Sequence, residues 1–131
     1  MTRDNFYPLM AEMLDNVKKK FNQKNKSYGQ EGDIFHNFRG TANRVLPGQF
    51  GNDYEDMYRV MMCYQDKHRE ALANLGLDEP EFEERCLDEI VYTLLAIALH
   101  REYQASHREY KRRHIGSTRR KFLSHGRGNT W

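Results

Sequence analysis

The chain has 131 residues, enough for one domain and one modest core, and its 38% hydrophobic and 12% aromatic content exceeds what a disordered chain would carry. Its formal net charge of +2 conceals an asymmetry: residues 101–131 hold nine Lys or Arg against Glu102 and Glu109, leaving 12 basic and 17 acidic side chains in residues 1–100. No stretch approaches the roughly 20 apolar residues of a membrane span and the start lacks a basic segment followed by an apolar run, so a soluble, cytoplasmic protein with no membrane partner is expected.

Phe6, Leu9, Met10, Met13, Leu14, Val17 and Phe21 recur at intervals of three and four and predict a first helix over about Asp4 to Gln23. Asp4 is its expected N-cap, and Pro8 is tolerable near its start. A polar but aromatic stretch follows, NQKNKSYGQEGDIFHNF, residues 22–38. A plain linker needs no Tyr28, Phe35 or Phe38. Ile34, Phe35, Phe38, Ala42 and Val45 predict a short second helix capped by Asp33 and stopped by Pro47 and Gly48, with Phe35 and Phe38 in the core.

Tyr54, Met57, Tyr58, Met61, Met62, Arg69, Leu72 and Leu75 outline a third helix, N-capped by Asp53 and closed by a left-handed Gly76. The fourth opens at Asp78 and Pro80 and buries Phe82, Leu87, Ile90, Val91, Leu94, Leu95, Ala98 and Leu99. Beyond Leu99 the apolar residues thin to Tyr103 and Tyr110, and the helix can run to about His114 with a polar surface. Residues 115–131, rich in Gly and basic side chains, read as a loosely attached tail. No β alternation or repeat is present, so the expected fold is an all-α, four-helix bundle-like domain over 1–114. Cys63 and Cys86 fall inside helical patterns without a CxxC pair and read as reduced and buried. Met57, Met61, Met62 and the aromatic residues ask for more cover than four helices supply, which points to a homodimer.

The short connection between helices three and four predicts an antiparallel hairpin, in which residues whose numbers sum to about 154 lie level. Asp66 then faces Asp88 and Glu70 faces Glu84, each helix supplying an i, i+4 acid pair. Four converging carboxylates would repel one another unless a cation joined them, and hard oxygen ligands suit magnesium, which can hold phosphates and activate water. Ordinary ion pairs with Lys67, Arg69 and Arg85 are the competing reading, and Asp53-x-x-Asp56 is a weaker ligand pair.

Lys24-Asn25-x-x-Tyr28-Gly29, Phe35-x-Asn37-Phe38, Asp66-Lys67 with Arg69, and Asp88-x-x-x-Tyr92 together resemble a phage-enriched family, the nucleotide modification associated domain, over roughly residues 20–98. The carboxylate arrangement is also similar to that of the all-α nucleoside triphosphate pyrophosphohydrolases, the dimeric dUTPase and MazG type. Where those proteins use Glu-Glu-x-x-Glu followed by Glu-x-x-Asp, this chain has Asp66-x-x-x-Glu70 and Glu84-x-x-x-Asp88. The resemblance implies nucleotide handling in the cytoplasm of an infected bacterial host, either as a magnesium-dependent phosphohydrolase or as a binding accessory, on a nucleotide or modified nucleotide.

The residues themselves fit such a ligand. Lys24 and Lys26 can meet phosphates, Asn25 and Asn37 can read base or sugar edges, and Tyr28 can stack on a base, with Gly29 and Gly32 as hinges of a lid, and the resemblance implies Lys67 and Arg69 as further substrate-binding residues. A packed loop in which the Asn residues merely cap backbone groups is the alternative. A second function class uses the other end of the chain. Arg108, Lys111, Arg112, Arg113, Arg119, Arg120 and Lys121, interleaved with Tyr103, Tyr110 and Phe122, suit nucleic acid or a host defence complex, and His100, His107 and His114 lie seven apart on the same helix.

Overall fold

The structure, a computed structural model, describes residues 1–28 and 32–124, with side chains described for 1–26 and 32–114. It is all-α. Among the described residues there are four helices, α1 (Arg3–Tyr28), α2 (His36–Val45), α3 (Asp53–Leu75) and α4 (Phe82–Ser124), with a 3-10 turn at Gly76–Asp78 between the last two. No helix of the described residues is long and apolar enough to cross a membrane. Two compact units divide the chain, Met1–Ile97 and Ala98–Trp131. The expected loose tail at 115–131 falls on residues whose side chains, or whole placement from 125, lie outside those described.

Each helix start differs by a residue or more from the sequence reading, for a local reason. At α1 the Thr2 hydroxyl, rather than Asp4, accepts the Asn5 N–H at 3.3 Å. Pro8 lies inside this helix, so the Asp4 carbonyl loses its helical donor. The helix then continues five residues past Gln23, because nothing between Asn22 and Tyr28 is Gly or Pro. Lys24, Asn25 and Lys26 are therefore helical residues, not members of a loop. Gly32 has φ +92°, open to Gly alone, whereas Gly29 lies outside the described residues.

At α2 the Asp33 carboxylate accepts the Phe35 N–H at 3.0 Å and also meets Arg39, fixing the entry to the helix. Asn52, not Asp53, caps α3: its side-chain oxygen accepts the Glu55 N–H at 3.0 Å. Asp56 is 2% exposed, and its two oxygens accept the Gly48 N–H at 2.8 Å and the Phe50 N–H at 2.9 Å. It is a clamp on the α2–α3 connection, with both oxygens occupied, and is not paired with Asp53 as a ligand. Gly76 has φ +57° with ψ −134°, a conformation that favours glycine but is not the left-handed helical one expected, and its N–H donates to the Leu72 carbonyl. The start of α4 is fixed by buried Glu79, whose Oε1 accepts from the Glu81 N–H at 3.3 Å and from Arg85 Nε at 2.9 Å. The Arg85 guanidinium holds the Glu79 carboxyl below the usual carboxylate range.

The core of the first unit joins Val17 of α1, Phe35 and Phe38 at the entry to α2, Met57, Val60 and Met61 of α3, and Leu87, Val91 and Leu95 of α4. Phe35, Met57 and Met61 are its most completely buried large side chains. Those methionines are covered within the chain, so they supply no reason for a second copy. Exposed apolar side chains lie elsewhere, at Phe6, Met10 and Leu14 on α1 and at Ile90, Leu94 and Ile97 on α4. Cys63 is exposed, contrary to expectation, and Cys86 is half-buried with its thiol pushed up by that burial. In the second unit, Leu99 is buried and the residues from 100 onward are largely exposed.

Candidate functional site

α3 and α4 form the expected antiparallel hairpin, but a different face of α3 meets α4. Gln65 Nε2 donates to the Thr93 hydroxyl at 3.2 Å and to the Glu89 carbonyl at 3.5 Å, and Arg69 Nε pairs with Glu89 at 2.8 Å. Gln65 and Glu89 sum to 154, so the level was correctly read. The phase was not. The buried line of α3 runs through Met57, Met61, Gln65 and His68, and Asp66 and Glu70 are exposed. At about 100° per residue Asp66 points well away from Met57 and Met61. The four carboxylates Asp66, Glu70, Glu84 and Asp88 do not converge. Among the described residues no group of three or more His, Cys, Asp or Glu is positioned to hold a metal ion.

Asp88 points inward while Glu84, one turn before it, stays exposed, and lysines of α1 meet both. Lys20 pairs with Glu84 and lies 3.4 Å from Asp88, while Lys24 pairs with Asp88. Two i, i+4 pairs, one basic and one acidic, thus interlock one turn apart. The order of pairing means that α1 and α4 run in the same direction where they meet. Asp88 is buried, and His68 Nδ1 approaches it from α3 at 3.6 Å, too long for a hydrogen bond. That nitrogen is buried without a hydrogen-bond partner. Burial depresses the His68 pKa, with the nearby Lys24, Arg85 and Lys67 acting in the same sense and Asp88 opposing them. The site therefore favours the neutral imidazole.

Beside this cluster lies a cleft of about 570 Å³ within the first unit, lined by residues from every one of the four helices and from the segment before α2. A volume of this order is usual for a small-molecule site, roughly 300 to 1,000 Å³. Its aromatic wall is Phe38, Tyr64 and Tyr92, whose ring centroids are 5.9, 6.2 and 6.4 Å apart, with His68 a further 5.9 Å from Tyr92. Its cations are Lys24, Arg44 and Lys67, and none of the described lining residues is Asp or Glu. Lys24 stands 5.6 Å from the centre of the Tyr92 ring. Asn25 and Asn37 supply side-chain amides.

The α2 side of the cleft has its own local logic. Gly40 costs α2 about 0.5 to 1 kcal/mol relative to Ala. A Cβ there would stand 3.3 Å from Arg44 Nη1, so the missing side chain leaves the guanidinium room to lie along the helix. Arg44 Nη2 reaches the Thr41 hydroxyl at 3.4 Å, and that oxygen lies 3.4 Å from the Tyr64 hydroxyl.

Four residues singled out from sequence for ligand binding, Lys24, Asn25, Asn37 and Lys67, line this one cleft. Arg69 does not, being occupied with Glu89 on the outside of the hairpin. Tyr28 ends α1, and its side chain lies outside those described. Tyr64, Arg44 and His68 were not singled out. Tyr64 follows Met57 and Met61 by seven and three residues, so its place on their stripe was available as a signal. Comparison with family models, curated proteins and solved structures found no match to this chain. The functional reading therefore rests on the chemistry of the cleft.

Of the second candidate set, Arg108, Lys111, Arg112 and Arg113 are exposed on α4. Arg119, Arg120 and Lys121 lie in the same helix, but their side chains are outside those described.

Proposed function

We propose that the cleft binds a nucleotide, and that the protein acts as a nucleotide-binding module. The observation that carries this reading is the composition of the lining: three cations, four Phe or Tyr rings and two amides, with no carboxylate among the described lining residues. Lys24, Lys67 and Arg44 meet the phosphates, Arg44 through its planar fork and the lysines as point charges. Tyr64 or Tyr92 stacks against the base, and Asn25 and Asn37 take its hydrogen-bonding edge or the sugar. Support also comes from the resemblance to the nucleotide modification associated domain, since Lys24, Asn25 and Asn37 belong to the motifs that carry it.

Binding is favoured over hydrolysis because Glu84 and Asp88 are already neutralised by Lys20 and Lys24. In this reading magnesium belongs to the ligand and arrives on its phosphates, which is how the ion usually enters phosphate sites. A panel of nucleoside mono- and triphosphates, ordinary and base-modified, with and without magnesium, tests the reading by thermal shift and phosphate or pyrophosphate release together. A shift without release is expected. Release at a steady rate would make the protein a phosphohydrolase, and no shift with any nucleotide would refute the reading.

A further inference from the structure

The distal part of α4 carries an organised surface that the cleft does not use. Tyr103, His107, Tyr110 and His114 follow one another at intervals of four, three and four, which places them on one stripe of the helix. They are arranged as two ring pairs. Tyr103 and His107 have centroids 4.1 Å apart, and Tyr110 and His114 are stacked at 4.0 Å with planes 26° apart. The His114 ring is also held by its Nδ1, 2.9 Å from the Tyr110 carbonyl. Seven residues separate the pairs, about 10.5 Å along the axis at 1.5 Å per residue. Tyr110 is 61% exposed.

Basic side chains border the stripe. Lys111 lies on one flank and Arg113, which pairs with Glu109, on the other, with Arg108, Arg101 and Arg112 further round the helix. Over residues 101–114 five basic side chains face only Glu102 and Glu109. This charge sets like against like in a second copy of the helix and draws an anionic partner instead.

We propose that residues 103–114 of α4 bind single-stranded nucleic acid, with unpaired bases stacked on the two Tyr–His pairs and phosphates held by Lys111 and Arg113. Rows of aromatic rings beside cations suit single strands, whose bases present free faces and whose backbone can follow the helix. A duplex hides those faces and offers only its phosphates.

The test uses the full chain and a labelled 20-mer of oligo-dT, followed by fluorescence anisotropy between 50 and 200 mM salt, with and without excess dTMP as a competitor for the cleft. The logarithm of the affinity should fall with the logarithm of salt concentration with a slope of roughly 0.7 per phosphate contacted. The paired substitution Lys111→Ala with Arg113→Ala should reduce that slope by about 1.4. Tyr103→Ala and Tyr110→Ala should each weaken binding on the order of tenfold with the slope unchanged. Circular dichroism of each variant reports whether the helix is retained. A duplex of the same length should bind more weakly at equal salt. The proposal is overturned by an absence of salt-dependent binding at 50 mM, by a duplex bound as tightly as the single strand, or by displacement with dTMP. Tyrosine variants of wild-type affinity also overturn it, as does a concentration-dependent dimer lost in the same variants without any oligonucleotide binding.

Discussion

Lys24 and Asp88 form an ion pair between α1 and α4, and the same ammonium stands 5.6 Å from the centre of the Tyr92 ring in the cleft wall. One side chain therefore links the body of the fold to the site. Removing either partner should have different consequences. Asp88→Ala leaves Lys20 and Lys24 facing each other beside His68 and should cost about 2 kcal/mol, below the ~3 to 5 typical of fully buried pairs because Lys24 is partly exposed. Lys24→Ala leaves Asp88 with Lys20 and should cost less stability but weaken nucleotide binding. Urea unfolding and isothermal titration of both variants separate the two effects. Equal losses of stability would show that Lys20 does not compensate.

Asp56 should be the most sensitive acid for stability. Asp56→Ala abandons the Gly48 and Phe50 N–H groups together and should cost about 2 to 3 kcal/mol, whereas Asn52→Ala, a single cap, should cost about 1. Urea midpoints of the two variants decide the order. The reverse order would mean that water replaces Asp56 in the connection without loss.

His68 should impose a pH dependence of its own. Its folded pKa lies below the ordinary 6.5, so the unfolded chain takes up a proton first as pH falls. Stability should be unaffected well above 6.5, decline as pH drops through 6.5, and level off below the depressed folded value. Glu79 acts in a lower window: its folded pKa is also depressed, so its contribution is present above the ordinary 4.5 and is lost as pH falls through the folded value. Unfolding at pH 7.5 and 5.5 should therefore show a larger loss in the wild type than in His68→Gln. Parallel losses would place the titrating group elsewhere.

The two thiols should react at different rates. Cys63 is exposed, while burial raises the Cys86 pKa and so lowers its thiolate fraction. A thiol reagent added to native protein should modify one equivalent rapidly, and Cys63→Ser should remove that phase. A fast phase that survives the substitution would contradict the assignment.

Helix type and order were legible because periods of three and four are strong over long stretches, and Phe35 and Phe38 were readable as core for the same reason. Boundaries depended on weaker competitions. Thr2 and Asn52 displaced Asp4 and Asp53 as caps, since neighbouring Ser, Thr, Asn and Asp residues cap with similar strength. The acid cluster failed on one geometric point. A hairpin sum fixes which residues are level, but only the helical phase fixes which of them face the partner, and Met57 and Met61 already set that phase against Asp66 and Glu70. The partners of Glu84 and Asp88 were hidden for a different reason. Lys20 and Lys24 lie 64 residues away, and no local pattern connects α1 to α4. Lys24, Asn25 and Asn37 could be named as binding residues because their chemistry was unusual for their places, and Lys67 through the family resemblance, yet their meeting in one cleft required the tertiary fold.

The most direct test of the nucleotide-binding cleft is isothermal titration of the nucleotide giving the largest thermal shift, against wild type, Tyr64→Ala and Lys67→Ala. Exposed Lys67 can be removed without loss of stability, whereas Tyr64→Ala, which gives up its contacts with Phe38 and Tyr92, should remain folded with a lower urea midpoint. The account predicts one site per chain, with affinity reduced on the order of tenfold by loss of the stacking ring and by a similar factor by loss of the phosphate contact. Wild-type affinity in both variants would put the nucleotide somewhere other than this cleft and contradict the account.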